Sequence, residues 1–122
     1  MPKPTEETKD FFASVVPDHP AVTIRPMFGQ LSAFVNGNMF MGIFGDDVFV
    51  RLDDRNRERI LKAGGGAFEP MVGRPMKEYV VLPERWRLAE IELIREYALH
   101  ALRHAKELPP KASKKKPTKK KL

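Results

Sequence analysis

Between residues 31 and 52 the chain carries three short apolar runs of strand length, separated by two sets of turn residues, and this segment limits the fold more than any other. Residues 31–35 and 38–44 are joined by Asn36-Gly37. Both residues accept the positive φ that a two-residue type I′ turn demands, and such a pair between apolar runs is the strongest local hairpin signal. Gly45-Asp46-Asp47 supplies a second turn into residues 48–52. Three consecutive antiparallel strands, a β-meander, are expected.

The flanks read as helices and shorter strands. Thr5 suits the N-cap of a helix whose Phe11, Phe12, Val15 and Val16 fall at helical spacing, and Pro17 ends it. Residues 22–25 form a short strand. Asp53 or Asp54 caps a short helix reaching about Ala63, where Gly64 offers a left-handed terminus. Residues 67–69 and 77–82 make a further hairpin around 70–76, and Pro83 opens a last helix over about 84–107. Along it Leu88, Ile91, Ile94, Ala98, Ala101, Leu102 and Ala105 mark one apolar face, and Glu92 can pair with Arg95. The class is α+β: an antiparallel sheet of meander plus hairpin, with N- and C-terminal helices. In residues 38–44, Met39, Met41 and Ile43 alternate with Phe40 and Phe44, so both faces are apolar and both need cover. The two end helices can take one face each, or one face can meet a second chain.

Charge divides the chain in two. Lys111, Lys114, Lys115, Lys116, Lys119, Lys120 and Lys121 stand in the last 14 residues without one acid. The remainder has fifteen basic side chains against sixteen acidic, so the net +6 belongs to the tail. Residues 1–108 are read as the domain and 109–122 as a disordered extension, too poor in apolar groups to offset the entropy of ordering. Such lysines attract phosphate without reading sequence, or only aid solubility. The chain has no cysteine, which excludes disulfides and thiolate metal sites. It has no apolar leader and no run of membrane length, so a cytoplasmic location away from the membrane is expected.

Catalytic signals are weak. His100 and His104 have the i, i+4 spacing of a metal pair, but a zinc site wants three or four ligands and no H-E-x-x-H accompanies them. Gly64-Gly65-Gly66 follows a helix instead of opening one, the wrong side for a phosphate cradle. Asp46-Asp47 and Asp53-Asp54 fall where turns and caps already want Asp. No enzyme activity, cofactor or metal is expected. For interaction, Arg25, Arg51 and Arg74 would hold an anion or a carboxylate if they converge, though separate surface arginines are the simpler reading. Met27, Phe28, Met71 and Met76 would form an adaptable patch if not simply core.

The ordered series Arg25-Pro26-Met27-Phe28-Gly29, Gly37-Asn38-Met39-Phe40, Val50-Arg51-Leu52, Phe68, Gly73-Arg74-Pro75-Met76 and Tyr79 to Leu82-Pro83 resembles the N-terminal domain of the TfoX/Sxy family over roughly residues 5–106. The resemblance implies a fold similar to type III secretion chaperones, a class often found as dimers. It also implies a regulator of competence genes that acts with transcription factors as a protein-interaction module, not as an enzyme. Full-length members carry a second, helical domain where this sequence has its lysine tail. The expected partners are therefore a protein of the transcription machinery, a second copy, and nucleic acid contacted non-specifically by the tail.

Overall fold

The computed structural model describes residues 3–27 and 29–110. Helix α1 (Glu6–Val15) begins at Thr5, whose Oγ1 accepts the Thr8 N–H at 3.0 Å, with Glu6 and Glu7 favourably placed in the first turn. Four strands then run as a continuous meander: β1 (Val22–Met27), β2 (Gln30–Val35), β3 (Asn38–Phe44) and β4 (Asp47–Arg51). Asn36 (φ 52°) and Gly37 (φ 81°) take the left-handed conformations that the sequence calls for. Helix α2 (Asp54–Lys62) is capped by Asp53, whose side chain accepts the Asn56 N–H at 2.9 Å. A hairpin of β5 (Gly66–Ala67) and β6 (Tyr79–Val81) follows. β6 pairs with β4, giving one antiparallel six-stranded sheet in the order β1-β2-β3-β4-β6-β5. Meander and hairpin are thus one surface. Both hairpin strands are shorter than expected, because Phe68 leaves the ladder to pack on the sheet face.

The last helical segment is broken. Helix α3 (Trp86–Ala89) ends at Glu90, which adopts φ −135° and ψ 51°, and α4 (Ile91–Lys106) starts afresh. The break rotates Leu88 off the apolar face; it is 97% exposed, while Ile94, Ala98, Ala101 and Ala105 are fully buried. Arg95 and Glu92 do pair, at 2.7 Å.

Strand β3 also departs from simple alternation. Ala33 pairs with Met41 but Phe34 pairs with Met39, leaving Phe40 as the extra residue of a β-bulge. Phe40, Met41 and Ile43 consequently all join the fully buried core beneath the helices. Met39 and Phe44 are left for the opposite face. The end helices do not take one face each, as the two-sided pattern suggested. Helices α1 and α4 contact each other and the same side of the meander. There Phe12, Val15, Phe40, Ile60, Trp86 and Ile94 close the core. Each such side chain contributes roughly 1.5–3 kcal/mol by leaving water. Among the described residues the other side of the sheet is covered only by the chain between β5 and β6. Among the described residues no helix is long and apolar enough to cross a membrane.

Candidate functional site

On that second side aromatic rings pack into a floor over the central strands. Phe49 lies over Gly42, and a Cβ at Gly42 would come within 2.6 Å of the Phe49 ring and 2.9 Å of the Leu31 carbonyl oxygen. The glycine is what lets the ring lie down against the strand. Phe68 stacks on Phe49 with centroids 4.1 Å apart and planes 12° from parallel. Phe44 meets Phe68 edge-on at 5.8 Å.

The connection carrying Phe68 is well tied. Met76 N–H donates to the Phe68 carbonyl at 2.9 Å, Arg74 N–H to Met71 at 2.9 Å, and Gly73 N–H to a Glu69 carboxylate oxygen at 2.6 Å. The resulting turn holds Met71 and Val72 outward, 64% and 100% exposed. Between this connection and the sheet lies a half-open cavity of about 330 Å³. It is lined by Met27, Met39, Met71 and Met76, by Phe44, Phe49 and Phe68, and by Ile43 and Pro70. Gln30 and Ser32 add the polar groups. Gln30 Oε1 accepts the Gly45 N–H at 3.0 Å and so locks the two turns at that end of the sheet. No charged side chain lines the cavity among the described residues.

Met27, Met71 and Met76 are thus brought together, with Met39, Phe44, Phe49 and Phe68 joining them. Met39 was hidden by the bulge, whereas Phe44 keeps its alternation with Met41 and Ile43. Phe28 and the seven tail lysines lie outside the described residues. The arginines do not converge. Arg25 pairs in register with Ser32 and lays its guanidinium 4.1 Å from the centroid of Phe34. Arg51 is three strands away, about 14 Å across the sheet at ordinary strand spacing. Its Nε donates to Glu78 at 2.8 Å. Arg74 sits exposed on the connection.

The remaining polar groups have structural work. Glu78 is held below the usual carboxylate range by its hydrogen bond from Arg51, against some desolvation. Asp53 is lowered chiefly by the backbone N–H of Asn56 that it caps. Tyr79 is raised by burial, with Arg51 opposing, and its hydroxyl donates to the Met39 carbonyl at 2.9 Å. Asp47 is exposed overall, yet local desolvation and the Glu84 and Asp46 carboxylates raise it. His100 faces Glu96 and His104 faces Glu78, each at 3.7 Å, so the two rings serve different carboxylates. Among the described residues no group of three metal-ligating side chains gathers. Gly65 N–H donates to the Ile60 carbonyl at 2.9 Å, which makes the glycine run the terminus of α2.

An antiparallel sheet with helices on one side and an apolar cavity on the other defines the class: an α+β domain whose distinctive chemistry is hydrophobic. A family model described as the TfoX N-terminal domain matches residues 14–105. The chain belongs to that family. Among curated proteins none matches it.

Proposed function

We propose that this chain is a non-enzymatic regulatory domain that acts by binding protein, either a second copy of itself or a component of the transcription machinery. The observation that carries the reading is the apolar tip at Met71 and Val72. An ordered turn holds two large apolar side chains in solvent, at a cost that a partner's surface would offset. Family membership supports a regulatory setting. The expected outcome of raising the protein's level in its native cell is a reproducible change in a set of transcripts. Val72→Asp removes that change without altering the circular dichroism or the thermal midpoint. Unaltered transcripts at any level of the wild-type protein reject the regulatory reading. Light scattering after size exclusion tests the dimer, and a monomer at every concentration rejects that form.

A second reading rests on the lysine-rich end of the sequence. Seven cations without acids favour non-specific attachment to nucleic acid. If all seven contact phosphates of duplex DNA, log K against log salt falls with a slope of about −6. Deleting residues 111–122 should then abolish binding; binding that persists with the same slope rejects this reading.

A further inference from the structure

The cavity on the second side of the sheet has a size and a lining that together specify a ligand. We propose that it is a binding site for a small, uncharged, flat aromatic molecule of about two fused rings. The inference does not depend on the regulatory reading: Met71 belongs both to the cavity wall and to the exposed tip, but Val72, on which the test of that reading rests, does not line the cavity.

Size comes first. Apolar cavities of about 150 Å³ accept one benzene ring. The space here is about 330 Å³, roughly twice that, within the range of small-molecule sites. Lining chemistry excludes charge: none of the described lining side chains is ionisable, so a buried carboxylate or ammonium would lose hydration with nothing to replace it. It also favours rings over saturated carbon. Four thioethers and three phenyl rings outnumber the saturated Ile43 and Pro70 in the lining, and sulfur–aromatic and aromatic–aromatic contacts both add to the gain from burial alone. The Phe49–Phe68 stack shows that the site already orders parallel rings. Methionine's three rotatable bonds let the walls close on a ligand of variable outline. Finally, Gly42 keeps Phe49 flat on the sheet, which preserves the depth that any larger residue would take.

The sequence supplies its own reporters. It has six methionines, four of them lining the cavity, while Met41 is fully buried among the residues packed against the helices. The full chain, labelled with ¹³C at the methionine methyls, is titrated with 1-naphthol and followed by NMR. Saturable upfield shifts at Met27, Met39, Met71 and Met76, with Met41 unmoved, are expected. Decahydro-1-naphthol, the saturated skeleton, should bind about threefold or more weaker, and 1-naphthalenesulfonate at least about tenfold weaker. Met76→Trp, which fills the space from the rim, should lower naphthol affinity at least tenfold with the thermal midpoint preserved. The wild-type titration stands by itself if that variant does not fold. Shifts absent from the four methyls, or shared equally by Met41, overturn the site. Equal or tighter binding of the saturated skeleton overturns the aromatic assignment, and equal binding of the sulfonate overturns the uncharged one.

Discussion

Thr8 shows how much one small side chain can organise. It is 1% exposed on α1, and its hydroxyl donates to Asp46 Oδ1 at 2.7 Å and accepts from Arg87 Nη2 at 3.2 Å. Arg87 Nη1 also donates to the Asp46 carbonyl at 3.0 Å. One hydroxyl therefore ties α1, the β3–β4 turn and α3. Thr8→Val keeps the shape but removes these bonds, leaving Asp46 and Arg87 to water, and should lower unfolding free energy by about 0.5–1.5 kcal/mol in urea titration. The nearby Asp47 behaves in the opposite sense. Its carboxyl is raised above the ordinary 3.8, so ionising it opposes folding. Asp47→Asn should be more stable than wild type at pH 7, with the advantage vanishing as pH falls below the ordinary value. Glu78 is lowered from 4.5, so its stabilisation is full above that pH and fades as pH drops through the folded value. Glu78→Gln should therefore flatten the acid limb of a stability–pH profile. A profile that stays as steep as the wild type's would remove the Arg51 pairing from the account.

At the scale of elements, the turn chemistry was the most legible part of the sequence. Asn36-Gly37, the Thr5 and Asp53 caps and the glycine end of α2 all declare themselves, because each needs a residue type that few others replace. Two features escaped periodicity. The break at Glu90 has no proline or glycine to announce it, so one apolar stripe read straight through from Leu88. The bulge at Phe40 breaks strict alternation, and no local residue marks it; only pairing with β2 reveals which side Met39 faces. Met39 was lost from the cavity wall for that reason. Met27, Met71 and Met76 were visible as soft, adaptable residues, but their convergence depends on where the 68–78 connection folds. A direct comparison checks the break. Leu88→Lys should change stability by no more than about 0.5 kcal/mol, whereas Ile94→Ala should cost about 2–5 kcal/mol. Comparable losses from both would restore a single continuous helix face.

Over the whole molecule, the organising fact is asymmetry across the sheet. Four helices and the bulged strand build a closed core on one side, while the other, among the described residues, keeps a single connection, an open cavity and an apolar tip. Charge is divided too, with the near-neutral body set against a basic terminus. Methionine oxidation measures the asymmetry directly, since sulfoxide formation follows access to the thioether. Under limiting peroxide, peptide mass spectrometry of the native chain should find, among the described methionines, Met71 oxidised first, Met27 and Met76 next, and Met41 last. Met41 oxidising as fast as Met71 would mean that the two sides of the sheet are alike, and would contradict the account.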